Sequence, residues 1–140
     1  MMSPIEEIVE NFSFLDDWED RYRYLIELGR ELKPLPEEQH SAENKVQGCV
    51  SQVWVWSRPE SGDDPIIHFL GDSDAHIVRG LVAVTLAVFS GKRASEIGAT
   101  DEISIFKQIG LEEHLTPQRS NGLKSMVGRI KQHAAEALAA

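Results

Sequence analysis

Sulfur is scarce in this chain. Among 140 residues there is one cysteine, Cys49, so neither an intramolecular disulfide nor a metal or cluster site built from several thiolates is open to it. Positive charge is also short. Fourteen Lys and Arg stand against 23 Asp and Glu, a formal net charge of -9, which makes phosphate backbones and anionic lipid surfaces poor electrostatic partners: no nucleic acid and no membrane are expected. The longest apolar run, Leu81 to Phe89, is nine residues with Thr85 inside it, against the ~20 that a membrane-spanning helix needs. Ser3, Pro4, Glu6, Glu7 and Glu10 occupy the start of the chain, where a secretory signal would place basic residues and an apolar stretch, so the expected location is cytoplasmic. The Gly-rich dinucleotide and phosphate-loop fingerprints are missing, and no cofactor of its own is expected.

What is present describes an ordinary globular domain. Apolar residues make up 41% of the chain and charged residues 26%, and a domain of this length buries roughly 68% of its unfolded surface. One domain spanning residues 1–140 is expected, with no internal repeat or low-complexity tract.

Local signals order the elements. Ser3, Pro4 and Glu6 form a helix start with a capping box, and Ile5, Ile8, Val9 and Phe12 follow at helical spacing to an end near Ser13. Asp16 or Asp17 caps a second helix with Trp18, Tyr22, Leu25, Gly29 and Leu32 on one face, stopped by Pro34. Residues 34–48 read as a loop. Ser51 to Trp56 alternates as a strand does, Arg58 to Asp64 is rich in turn residues, and Ile66 to Leu70 supplies a second strand, together a β-hairpin. Asp72, Ser73 and Asp74 are expected to cap the helix that carries Ile77, Leu81, Val84 and Val88 on one side and Val78, Val82, Leu86 and Phe89 on the other, the most buried helix, ended by Gly91 and laid across the sheet. A short segment from Ser95, a helical stretch from Asp101 to Ile109 closed by Gly110, and a final helix after Pro117 with the stripe Leu123, Met126, Val127, Ile130 and Ala134 complete the chain. After Pro117 there are four basic side chains and one acidic, while the remainder sums to -12. The last helix is a local positive patch, read as a solvated face.

Cys49 sits at a loop-to-strand junction directly after Gly48. A lone cysteine in a reducing compartment is most often a buried small hydrophobe, but a thiol outside the periodic stripes, beside a residue that removes bulk and permits unusual backbone angles, is equally placed to react. Both readings stand on the local residues. Asp72 and Asp74 do not match a calcium loop, since Ile77 and Ala83 occupy the positions that need Gly and Glu, and His68 and His76 fit no recognised zinc spacing, so no metal site is expected. Trp54 and Trp56 read as packing on the sheet.

Three blocks in order, Asn44-Lys45-Val46-Gln47-Gly48-Cys49-Val50-Ser51-Gln52-Val53-Trp54, then Gly71-Asp72-Ser73-Asp74-Ala75 with Ile77-Val78-Arg79-Gly80-Leu81, and Leu115-Thr116-Pro117-Gln118-Arg119-Ser120-Asn121-Gly122-Leu123, resemble the SufE family of cysteine desulfuration proteins. The resemblance implies an α/β (α+β) fold, a small antiparallel sheet packed against helices, related to the IscU-type scaffold. It further implies a sulfur acceptor for a SufS-type cysteine desulfurase, whose pyridoxal phosphate belongs to that partner, with delivery to an iron-sulfur scaffold complex, acting as monomer or homodimer. The family's sulfur-accepting cysteine falls on Cys49, and its aspartate and arginine positions fall on Asp74 and Arg119 in supporting roles. Lys45 and Arg119 are candidates to stabilise a thiolate. Two other classes stand beside this one: a Cys-His hydrolase or transferase using His40, His68, His76, His114 or His133 as base, and an iron-sulfur scaffold, for which one thiol is too few.

Overall fold

The computed structural model of the chain describes residues 2–140, apart from the side chain of Glu112. Helix α1, Pro4–Ser13, starts where the Ser3 hydroxyl accepts the Glu6 N–H at 3.3 Å; only this half of the expected capping box is made among the described residues. Helix α2, Trp18–Arg30, is capped by Asp17, whose Oδ1 accepts the Asp20 N–H at 2.9 Å. It ends four residues before Pro34, leaving Leu32 outside, because the residue ahead of a proline is driven from helical angles and the Glu31 N–H already closes the last turn.

Strands β1, Val53–Pro59, and β2, Ile66–Ser73, form the expected antiparallel hairpin, and a two-residue strand β3, Lys92–Arg93, adds to the far edge of β2. Alternation places Val53 and Val55 of β1 beside Ile67 and Phe69 of β2 on the buried face. On the other face Trp54 is covered by the edge of the His40 ring at 4.8 Å, and the Arg58 guanidinium lies over Trp56 at 5.5 Å. Pro59 is tolerated because β1 is an edge strand.

The expected caps of the next helix are corrected by this ladder. Pairing runs on to Val53↔Ser73 and Trp54↔Asp72, so Asp72 and Ser73 are strand residues, and helix α3, His76–Phe89, begins after Ala75 with no side-chain cap. Asp74 extends the hairpin instead: its Oδ1 accepts the Gln52 N–H at 3.0 Å and its own N–H donates to the Gln52 carbonyl at 3.2 Å. A run of main-chain bonds outcompetes one cap.

Helix α3 crosses the sheet and is buried along most of its length, including Leu81, Val82, Val84, Leu86, Val88 and Phe89. Its closest approach is to α2. A Cβ on Gly80 would stand 2.2 Å from the Leu25 carbonyl oxygen, and one on Gly29 would stand 2.8 Å from the Gly80 nitrogen, so this pair of glycines sets the distance between the two helices. Short helices α4, Ala94–Ala99, α5, Glu102–Gln108, and α6, Leu111–His114, lead to the long α7, Pro117–Ala139. The Thr116 hydroxyl caps α7, and Leu123, Met126, Val127, Ile130 and Ala134 are all buried, as their spacing requires.

Residues 34–52 pass over the outer edge as a strap with one turn of 3-10 helix at Glu37–Gln39. His40 Nε2 meets Asp72 Oδ2 at 2.8 Å, and Arg79 Nε lies 3.0 Å from Asp72 Oδ1 as an ion pair off the line of its N–H. Farther along, Lys45 bridges to Trp54, and Arg129 of α7 donates to the carbonyls of Glu43 and, at 3.1 Å, of Lys45. The Arg129 Nε donates to His133 Nε2 at 2.9 Å, and burial, reinforced by the Arg129 charge, holds the His133 imidazole below its ordinary value. Neutral His133 is thus the acceptor that aims the guanidinium at the strap.

Gly80→Ala is expected to cost about 3 kcal/mol, the upper end for overpacking, and to lower the thermal midpoint by roughly 10 °C. Gly128→Ala, on an exposed turn of α7 with nothing within 4 Å of a built Cβ, is expected to raise stability by about 0.5–1 kcal/mol; denaturant unfolding of both variants checks the pair. The hydrogen bond to Asp72 raises the His40 imidazole above its ordinary value. Its stabilisation is fully present below pH ~6.5, the unfolded value, and is lost as pH rises through the higher folded value. NMR titration of His40 and the flattening of this slope in His40→Gln test it; an imidazole titrating at the unfolded value would remove the lock.

Candidate functional site

Gly48 takes φ +88°, the angle that the third residue of a type II turn needs, and it has a second reason to lack a side chain: a Cβ there would stand 2.7 Å from Ser125 Oγ of α7. This turn drops Cys49 onto the first part of α7. The thiol is half-buried, Sγ lies 3.8 Å from the Gly122 carbonyl oxygen, and a Cβ on Gly122 would stand 3.5 Å from the sulfur. A Cβ at that distance would be in ordinary van der Waals contact with the sulfur, so Sγ packs directly on the backbone of the helix.

Cys49 opens on a cavity of about 270 Å³. Val78 and Leu81 of α3 and Leu123 and Met126 of α7 form apolar walls, and Thr116, Gln118 and Arg119 stand at the α7 N-terminus. Burial pushes the Cys49 thiol up from its ordinary value, since no charge close enough offsets the lost hydration of the thiolate. The site at rest therefore holds a protonated, quiet thiol in an apolar recess.

The expected site residues fall in two places. Arg119 shares the cavity with Cys49, and its guanidinium makes no ion pair among the described residues. Asp74 does not line the cavity; it grips the Gln52 N–H three residues beyond the thiol and fixes where the turn ends. Lys45 is exposed and serves the strap through its backbone, away from the cavity lining.

None of the five histidines borders the cavity. His40 is held by Asp72, His68 meets Glu60 at 2.6 Å, His114 stacks on Trp18 at 3.9 Å, and His133 accepts from Arg129. A Cys-His pair for hydrolysis has no base in place. Among the described residues no cluster of His, Cys, Asp or Glu is arranged to hold a metal ion. No helix of the described residues is long and apolar enough to cross a membrane.

The positive patch on α7 is corrected in part. Arg129 is committed to the strap and Lys131 to Glu102, at 3.0 Å, and to the Thr100 carbonyl, so two of its four cations are internal fasteners. Sequence reasoning missed Arg129, His40 and Asp72 as organisers of the strap. Their contacts to the strap are with backbone carbonyls or across 30 or more positions, which leave no local spacing to read; the one local signal is the i, i+4 spacing of Arg129 and His133. Leu81, Leu123 and Met126 were legible as core; that they line the recess of Cys49 follows from the strap's position.

Comparison with known proteins agrees with this arrangement. The SufE family model, described as an Fe-S metabolism associated domain, matches residues 6–134. An uncharacterized SufE-like protein of Rhizobium meliloti (strain 1021) is 58% identical over 134 residues, covering 95% of this chain and 96% of the relative. Another from Rhizobium etli is 60% identical over 135 residues, covering 95% and 90%. In fold, the solution structure of a hypothetical protein from Thermus thermophilus aligns over 100% of both chains with a TM-score of 0.77 at 22% identity, in keeping with the α+β architecture. A family match over nearly the whole chain, with relatives this similar, makes the protein a member of the SufE family, with a role in iron-sulfur metabolism.

Proposed function

We propose that the chain is a sulfur carrier: Cys49 receives sulfane sulfur from a pyridoxal-phosphate-dependent cysteine desulfurase of the SufS type, the transfer frees that partner for another turnover, and the sulfur passes on to an iron-sulfur scaffold complex. The observation that carries this reading is the sole thiol, set on a turn over an apolar recess with an arginine at its edge. The Cys49 thiolate attacks the terminal sulfur of the partner's cysteine persulfide; the sulfur-sulfur bond to the partner breaks, its electron pair leaves with the partner's thiolate, and Cys49 becomes the persulfide. No net oxidant or reductant is consumed, as in thiol-disulfide exchange.

Each supporting residue has a role in this reading. Arg119 stabilises the anionic sulfur as charge passes between the two cysteines. Asp74 acts through Gln52, holding the downstream end of the turn. The recess keeps a carried sulfur from reductants and water. The chain itself needs no cofactor for the transfer, and pyridoxal phosphate stays with the desulfurase.

Incubation with a desulfurase and cysteine is expected to add the mass of one sulfur atom to the native chain and none to Cys49→Ser, while the complex with the desulfurase persists in the variant. Undiminished stimulation of sulfide release by Cys49→Ser would reject the carrier. Because burial raises the thiol, alkylation of the free protein is expected to be slow at neutral pH and to climb with a midpoint above ~8.5, the ordinary value; a midpoint at or below it would mean that the thiol is not sheltered.

A further inference from the structure

The turn that bears Cys49 is fastened at both ends and untied between them. Upstream, the Val46 N–H donates to the Val53 carbonyl at 2.8 Å and Arg129 holds the Lys45 carbonyl; downstream, Gln52 and Asp74 exchange their two bonds. Apart from the turn at 47–48, residues 47–51 make no main-chain hydrogen bond of ordinary geometry among the described residues. Their one side-chain tie there is the long contact from Cys49 Sγ to the Gly122 carbonyl, a weak bond at that distance.

Within this span Cys49 and Val50 are neighbours that border one cavity and differ sharply in burial. The thiol is half-buried, whereas Val50 is 82% exposed, more than any other large hydrophobic residue described, Phe14 at 73% included. Exposure of an isopropyl group beside an apolar recess is unfavourable by the area it leaves in water. Val50 lies at a bend and is exposed where Cys49 is half-buried, so a rotation of residues 47–51 about their two fixed ends that carries Cys49 outward turns Val50 toward the recess.

We propose that Val50 is a positioning residue for Cys49, a counterweight that enters the recess between Val78, Leu81, Leu123 and Met126 when the thiol turns out to meet another protein's sulfur. The exchange fills with an apolar side chain the place that the thiol vacates. It also removes the exposed valine in the state that exposes the thiol, which narrows the free-energy gap between them. The inference rests on the carrier reading for its purpose, but its test reads the free protein.

The experiment is alkylation of Cys49 by iodoacetamide across a pH series in the native chain, Val50→Thr and Val50→Ile, with thermal unfolding alongside. Threonine keeps the shape of valine but sets a hydroxyl against the apolar walls Val78, Leu81, Leu123 and Met126; Val50→Thr is expected to react roughly tenfold more slowly, with its thiol midpoint displaced further upward and its unfolding midpoint unchanged. Val50→Ile is expected to stay within about twofold of the native rate. A Val50→Thr rate equal to or faster than native would overturn the exchange, the faster case marking Val50 as a shield. Sulfur gain from a desulfurase and cysteine, read by mass on the same proteins, separates the two readings: gain with no Val50 effect on alkylation defeats the exchange alone, and absence of gain in the native chain defeats the carrier alone.

Discussion

The seating of the Cys49 turn on the first part of α7 is the constraint on which the site depends. A side chain at residue 48 would meet Ser125 at 2.7 Å and would have to adopt a positive φ, so Gly48 is the residue that allows the loop and the helix to meet at the distance of a thiol. The α7 stripe from Leu123 to Ala134 is buried in the core, which makes the floor of the site a rigid element. The strap above it is held by side chains that reach backbone groups: Arg129 at Glu43 and Lys45, Asp74 at Gln52. Rigid floor and tethered strap leave residues 47–51, the turn at 47–48 apart, without main-chain hydrogen bonds of ordinary geometry among the described residues.

This division explains the electrostatics as well. A thiol offered permanently to solvent beside a cation would be ionised more easily and would react with any oxidant or electrophile it met. Here desolvation outweighs stabilisation and the thiol is raised, although Arg119 lines the same cavity. For the proposed carrier, that balance places the gain in nucleophilicity at the moment the thiol leaves the recess. Reactivity is then governed by position rather than by a resident general base, which agrees with five histidines that all stand away from the cavity.

Much of the fold was legible because its elements obey local rules. Ser3, Asp17 and Thr116 cap where side-chain oxygens precede apolar periodicity, and the faces of α3 and α7 follow from spacing alone. Asp72 and Asp74 show where local rules stop. Both are good capping residues in the right place before a helix, yet the hairpin register runs through Asp72 to Ser73, and the two carboxylates bind His40 and Gln52 instead. The two-residue β3 and the four-residue α6 are too short to carry a period. Within the site, the position of Cys49 after Gly48 was visible, and so was Arg119 through the family resemblance; the recess was not, because its walls come from α3 and α7 and its roof from a strap held by contacts remote in sequence.

The separation of Asp74 from Arg119 follows from the same geometry. A residue at the cavity edge can act on sulfur directly, and Arg119 is so placed. A residue that holds the backbone three positions from the thiol acts through that backbone, and Asp74 is so placed. The upstream limit is set by Arg129, whose aim depends on a neutral His133 as acceptor, and the strap's earlier anchor by His40 on Asp72, which strengthens as the imidazole gains a proton. Asp72 therefore does more than neutralise Arg79: it joins the strap, β2 and α3 through one carboxylate. Loss of that carboxylate would loosen the strap without touching the cavity, whereas loss of the Arg119 guanidinium would alter the cavity without touching the strap. The site is thus built from two separable parts, one that sets where the thiol can go and one that sets what surrounds it there.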